Sequence, residues 1–417
     1  MEFDHIVEKK QEQRAAAWLK LWSNRFPELL SMQLAEKHRS GETVSACLWE
    51  SGAFNICYRV RYDDRPDVIV RFASLGRAIL RREKVQNEVA TMKYIRQTTS
   101  ITVPEVFGSG ICWAAPYIVM PALNPQISDR SLRRAYREMG LLLLELSKYE
   151  FDAIGALQKN EGGFSIARRP LTFNMNDLMV SANLPKEAFT SHTFRSATDY
   201  FETLAMQHFS HLQLQQRDIV SSKADRREKS IARCLFLNLT KKLCAEHPQE
   251  PFRLYCDDFR PSNVLIHLDT TSRALRVSGV INWEFTYAAP AEFTYVAPWW
   301  LLLQSPEDWG EDLNQFLVRF SPRLRGFLEG LSQRMEHSME TGLFWICLVA
   351  RYSSMFDEIY WTFIDQRCYG NFTSVGTPTE AQESFDDHYP IDKLLELLLL
   401  HLINENAFCA YQHALAK

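Results

Sequence analysis

The sequence contains no apolar run long enough to span a bilayer. Its most hydrophobic stretch, Leu394 to Ile403, is too short and carries Glu396, so it reads as a buried helix and no membrane partner is expected. None of the 9 cysteines forms a C-x-x-C pair or a zinc-type spacing with histidine, which removes the common zinc and dithiol-redox readings. The start, Met1-Glu2-Phe3-Asp4, has no apolar signal character, and with cysteines scattered singly a reducing cytoplasm is the expected setting. Basic residues are not in excess: 47 Lys and Arg face 51 Asp and Glu, a net charge of -4, so nonspecific nucleic-acid binding is not expected. Internal repeats and low-complexity tracts are also missing. What is present is 46% hydrophobic and 24% charged residues over 417 positions, the balance of a globular chain with a sizeable core in one large domain or two closely joined ones.

The pattern changes along the chain. Residues 9–38 carry Trp18, Leu19, Trp22 and Leu29 at roughly helical spacing, a helical preamble. Period-two segments follow at Cys47 to Glu50, Ile56 to Tyr62 and Val68 to Phe72, the last two joined by the turn sequence Asp63-Asp64-Arg65-Pro66. A helix over about 81–96 presents Val85, Val89, Met92 and Ile95 on one face, and Val103 to Val106 and Tyr117 to Met120 read as two further strands. After Pro121 the spacing predicts long helices at about 129–148, 195–217, 224–246, 334–363 and 391–415, interrupted by a β-like island from Leu254 to Asn282. Pro121 to Pro125 reads as the hinge, and Tyr369 to Asp387 as a polar loop. A small strand-rich unit therefore precedes a large helical one.

The densest polar cluster is Cys256-Asp257-Asp258-Phe259-Arg260-Pro261-Ser262-Asn263-Val264-Leu265-Ile266, in which Asp258 precedes Asn263 by five residues. By itself it also reads as a surface turn, since Asp, Pro, Ser and Asn favour turns. About twenty residues on comes Val280-Ile281-Asn282-Trp283-Glu284. Phosphoryl transfer needs one carboxylate to take a hydroxyl proton and a few oxygens to hold a metal on the phosphates, all in one cleft. Two such motifs at this distance suit that chemistry.

The pair resembles the catalytic and metal loops of the aminoglycoside phosphotransferase and choline kinase-like family, whose patterns run roughly His-Gly-Asp-x4-Asn and Ile-Asp-Trp/Phe-Glu. The resemblance is especially to its fungal branch, and it extends through Gly52 to Val60, Val68 to Phe72, Trp283 to Pro290, Pro298-Trp299-Trp300 and Glu340 to Trp345. It implies an α+β, two-lobed protein kinase-like fold, with a small β-rich N-lobe and a large, mostly α-helical C-lobe. The implied division is a helical segment 1–45, a nucleotide-binding lobe 46–124 and a C-lobe 125–417. It also implies an ATP- and Mg²⁺-dependent phosphotransferase acting on a small hydroxylated acceptor.

Carried onto this sequence, the resemblance makes Asp258 the base and Asn263 a magnesium ligand. Ser51 to Asn55, with Gly52, Phe54 and Asn55, would cover the phosphates. Arg71 would grip them, with Glu88 as its ion-pair partner, and Met120 to Ala122 would contact adenine. The pair Arg71 and Glu88 also reads as an ordinary strand-to-helix salt bridge. Two departures stand out. Asn282 replaces the family's metal aspartate and brings no charge, although Glu284 would share a face with it, as a substitute ligand, if the segment were extended. Cys256 replaces the family's histidine and is expected to be a buried thiol. Elsewhere, His267 reads as a turn residue and Trp299-Trp300 as core. Glu340, Asp357 and Glu358 read either as an acceptor-site face or as a solvated one. The alternative to an enzyme is a kinase-like pseudoenzyme, or a repurposed member that binds nucleotide or metabolite without phosphoryl transfer.

Overall fold

The computed structural model describes residues 5–122, 132–214, 220–246, 251–268, 275–309, 313–328 and 333–369. The expected helix at 391–415, the stretch Leu394 to Ile403, nearly all of the Tyr369 to Asp387 loop and the second half of the hinge lie outside these residues.

The preamble is a helical pair, α1 (His5–Ser23) and α2 (Pro27–His38). Pro27 opens α2, a position where its missing N–H is not needed. Strands β1 (Thr43–Ser51), β2 (Asn55–Tyr62) and β3 (Val68–Ala73) follow, then α3 (Arg81–Thr98), β4 (Gly108–Ile111) and β5 (Pro116–Pro121). They form one antiparallel five-stranded sheet in the order β1-β2-β3-β5-β4.

Alternation sorts the two faces of this sheet. Ile56, Tyr58, Val60, Val70 and Phe72 pack against Trp18, Trp22, Leu34 and Ala35 of the preamble. Burying a side chain of this size contributes about 1.5–3 kcal/mol. The opposite face of β3 presents Ile69 and Arg71 toward α3 and the larger lobe.

Val103 to Val106 is not a strand. It joins no ladder, and Pro104 has no N–H to contribute to one.

The larger lobe holds α4 (Leu132–Leu146), β6 (Glu150–Phe151), the hairpin β7 (Ala156–Asn160) and β8 (Gly163–Arg168), α5 (Phe173–Val180), α6 (Ala197–Leu214) and α7 (Lys223–Glu246). The hairpin and α5 carry no strong periodicity. After them come β9 (Phe252–Cys256), the hairpin β10 (Val264–Leu268) and β11 (Leu275–Val280), and β12 (Thr286–Ala289). A three-stranded sheet of order β12-β9-β6 and the β10-β11 hairpin carry the polar motifs between them.

The continuous helix expected at 334–363 is broken into Gln333–Thr341 and Leu343–Arg351, followed by shorter turns. Gly342 between them has φ 85°, a left-handed conformation that ends the first segment. An unanticipated helix, Leu313–Leu328, packs beside α4. Among the described residues no helix is long and apolar enough to cross a membrane.

Candidate active site

The loop after β9 turns sharply because Phe259 N–H donates to the Cys256 carbonyl and Asn263 N–H to that of Arg260. Ile281 N–H then donates to the Asn263 carbonyl at 2.9 Å, which lays the second motif against the first. Asn282 has φ 65° and Phe285 φ 58°, both left-handed. Asparagine tolerates that region, whereas phenylalanine adopts it at a cost of about 1–2 kcal/mol. The segment therefore turns instead of extending, and Asn282 and Glu284 point in different directions.

Asn282 is directed at the first motif. Its Nδ2 donates to Asp258 Oδ2 at 3.0 Å and reaches Asn263 Oδ1 at 3.4 Å. Asn263 Nδ2 donates to the Asp258 carbonyl at 2.7 Å and to Asp258 Oδ2 at 3.4 Å. Arg260 Nε approaches Asp258 Oδ1 at 3.0 Å. Burial pushes the Asp258 carboxyl up to about 7; Arg260 opposes this, and Glu284 reinforces it.

Across the cleft, Arg71 pairs with Glu88, both buried, and its Nη1 donates to Asn282 Oδ1 at 3.3 Å. Glu88 also accepts the Trp283 N–H at 3.2 Å. The predicted strand-to-helix pair thus reaches the second motif directly.

Glu284 does not join the asparagines. Its carboxylate forms an ion pair with Lys84 of α3, each side chain only 1% exposed, and accepts from Asn55 Nδ2 at 3.3 Å. Lys84 Nζ also donates to Asn55 Oδ1 at 3.0 Å. Burial raises the Glu284 carboxyl, but Lys84 and Arg71 outweigh it and hold the group below the usual carboxylate range. In this arrangement the Glu284 oxygens face an internal cation and an amide, not the asparagines beside which it was expected as a substitute metal ligand. Lys84 was missed in the sequence, although it lies four residues before Glu88 and hence on the same helical face.

The turn over the cleft is tight, with Gly52 N–H donating to the Asn55 carbonyl at 2.9 Å. Phe54 packs edge-on against Phe173 and Phe285, tying the turn to the larger lobe. At the hinge end, Met120 is buried in β5, and the Ala122 N–H donates to the Asp67 carbonyl at 3.0 Å. That N–H is spoken for and not open to an adenine ring.

Asp257, beside the base, is a separate support. Its Oδ2 accepts the Phe173 N–H at 3.0 Å, and burial raises its carboxyl to about 6 despite Arg351 nearby. Cys256 is buried, as are Trp299 and Trp300, and burial raises the thiol far above its ordinary value. His267 lies within β10 and not in a turn. Asp357 does not lie on a solvated face: it is buried against Arg233, with contacts of 2.7 and 3.3 Å. Glu340 is exposed beside His337, and Glu358 is exposed.

The donors fit a magnesium ion in one way only. Among the described residues no group of three or more acidic, histidine or cysteine side chains could hold a metal. Near Asp258 the Asn282 amide presents its Nδ2 while its Oδ1 faces Arg71, so only with that amide turned would Asn263 Oδ1 and Asn282 Oδ1 together face an ion carried mainly by phosphates.

An antiparallel five-stranded lobe over a helical one, with an ion pair reaching from sheet to helix above a short polar loop, is the architecture of the protein kinase-like fold. The sequence agrees, because the model of the phosphotransferase enzyme family matches residues 48–319, more than half of the chain. The chain belongs to that family. No curated relative matches it. Among solved structures, it is similar to a thermostable mutant of an aminoglycoside phosphotransferase in complex with ADP and hygromycin B, at 15% identity over 83% of this chain and 98% of that one, TM-score 0.45. It is similar to the GDP complex of wild-type aminoglycoside 2′-phosphotransferase-IIIa, at 14% identity over 89% and 97%, TM-score 0.43. It is also similar to a fructosamine-3-kinase candidate of Haemophilus somnus 129PT, at 11% identity over 81% and 98%, TM-score 0.42.

Proposed function

We propose that this chain transfers a phosphoryl group from ATP to a hydroxyl of a small molecule in the cytoplasm. The observation that carries the reading is the convergence of Asp258, Asn263 and Asn282 within hydrogen-bond reach of one another, opposite the buried Arg71–Glu88 pair. Family membership supports it. Residues 46–124 would carry the nucleotide and 125–417 the acceptor, with helices α1 and α2 of the 1–45 segment packed behind the sheet.

In the proposed step the acceptor oxygen bonds to the γ-phosphorus while the bond to the departing ADP oxygen breaks, and Asp258 takes the hydroxyl proton. Its raised carboxyl makes it a stronger base than an ordinary aspartate once ionised. Asn263 orients it. Arg71, held by Glu88, offers a planar fork of donors to phosphate oxygens. Gly52, Phe54 and Asn55 would lie over the phosphates, and Met120 and Ala122 beside the adenine ring, without the Ala122 N–H, which the Asp67 carbonyl holds. A magnesium ion would sit against Asn263 Oδ1 and, with its amide turned, Asn282 Oδ1, and would neutralise phosphate charge.

A second reading, a pseudoenzyme that binds nucleotide or metabolite without transfer, is favoured by Asn282. Its amide links Asp258 to Arg71 and contributes no charge to a metal. Calorimetric titration of Mg²⁺·ATP into wild type and Asn282→Asp, with a mass-spectrometric search for a phosphorylated product in a metabolite extract, separates the two. Transfer predicts binding, tighter in Asn282→Asp, and a product that disappears in Asp258→Asn. Binding without product in either protein favours the second reading. No binding at millimolar nucleotide sinks the first.

A further inference from the structure

A second cavity lies away from the cleft. It is open, about 810 Å³, and sits between the start of α3, the β4–β5 turn and the end of β8. Arg81, Arg82, Arg168 and Arg169 line it, with Glu83 as the one acidic side chain. Glu83 is already matched: Arg169 Nε and Nη2 each reach one of its oxygens at 2.8 Å. Arg81 donates only to the carbonyls of Ala73 and Ala114, both at 3.2 Å, and Arg168 to the Asn87 amide oxygen at 3.0 Å. Arg82 is exposed and has no partner among the described residues. Three guanidinium groups therefore face one cavity without a carboxylate to match them. The apolar wall is equally uncommon. Trp113 is 61% exposed and Ile111 58% exposed, and the Trp113 ring is held beside Trp22 with centroids 6.1 Å apart. On α3, Arg82 points away from Lys84 and Glu88, and neither of these nor Asp258, Asn263 or Asn282 lines this cavity.

We propose that this cavity is a second binding site, for a small organic anion: a phosphate or carboxylate carried on a flat apolar body. The volume falls in the range of small-molecule sites, about 300–1,000 Å³. Guanidinium forks match phosphate and carboxylate oxygens in pairs, and an exposed indole offers a face on which a flat ring stacks. The acid group lies against Arg81 and Arg82 and the ring against Trp113. Binding here requires no turnover and is independent of whether the chain transfers phosphate.

The test is calorimetric titration of the full chain with phenyl phosphate, in wild type, Arg82→Glu and Trp113→Ala, with thermal unfolding to verify that each protein is folded. Both substitutions alter exposed side chains outside the cleft. Saturable binding to wild type is expected, weakened by about tenfold or more in Arg82→Glu, where a charge-assisted contact becomes a repulsion, and clearly weakened in Trp113→Ala. Inorganic phosphate, which lacks the ring, should bind wild type more weakly than phenyl phosphate and respond little to Trp113→Ala. The proposal is overturned if wild type shows no saturable binding, or if either variant keeps wild-type affinity for phenyl phosphate, which would put the anion in the cleft or nowhere.

Discussion

Replacing Asp258 by asparagine should slow the proposed phosphoryl transfer and stabilise the protein, and the stabilisation should grow with pH. In the native state burial lifts this carboxyl from 3.8 to about 7, against the pull of Arg260 and the Asn263 amide. A group that holds its proton more tightly when folded favours the folded state at low pH. That advantage is lost as pH climbs from the unfolded value through the folded one. From these two values, wild type forgoes on the order of 2–3 kcal/mol between about pH 5 and about pH 8. Asparagine keeps the shape and cannot ionise, so the variant escapes this loss. Asp257, lifted to about 6, titrates in both proteins and cancels from the difference. The assay is thermal or urea unfolding of both proteins at the two pH values. The gap between variant and wild type should widen toward pH 8. An equal gap at both would refute the raised, buried carboxyl that the proposed base role uses. On the kinetic side, wild-type turnover should rise with pH through about 7 as Asp258 loses its proton. The variant should lose about 10²–10⁴-fold with no such rise.

Lys84→Met should destabilise the fold by about 3–5 kcal/mol, because Glu284 stays buried with its charge unmatched; adding Glu284→Gln should recover much of that in urea unfolding, and simply additive losses would show that the two do not act as a pair. Arg71→Ala should abolish stabilisation by ATP in a thermal-shift assay, and Arg71→Lys should restore only part, since a point charge replaces a fork; equal ATP stabilisation in wild type and Arg71→Ala would leave the Arg71–Glu88 pair a purely structural one. The Cys256 thiol should resist alkylation in the native protein and react only on unfolding, because it is buried and its ionisation is strongly disfavoured; rapid native labelling at Cys256, read by mass spectrometry, would contradict its placement.

Short-range features were legible in the sequence because their causes are short-range. Alternation along Ile56 to Tyr62 and Val68 to Phe72 placed β2 and β3, and the spacing of Val85, Val89, Met92 and Ile95 placed α3. The same kind of reasoning failed where a single residue overrides a continuous apolar pattern. Gly342 ends a helix that hydrophobicity alone would extend, and Pro104 denies Val103 to Val106 a ladder.

For the site, residue types and spacing drew attention to Asp258, Asn263 and Asn282, and the family resemblance added Arg71 and Glu88. Their partners were decided by tertiary structure. Arg71 meets Asn282 across 211 positions and Asn55 meets Glu284 across 229. No local periodicity encodes contacts at that separation, since they arise only when the sheet closes over the helical lobe. The left-handed Asn282 in the second motif, followed by left-handed Phe285 just beyond it, turns Glu284 away from Asn282 and into the reach of Lys84. The sequence by itself determined which side chains are available for chemistry, and packing decided which of them are already spent on one another. The physical reason is burial: once water is excluded, each charge must find a counter-charge or a donor inside the protein, and the fold alone sets which one is near.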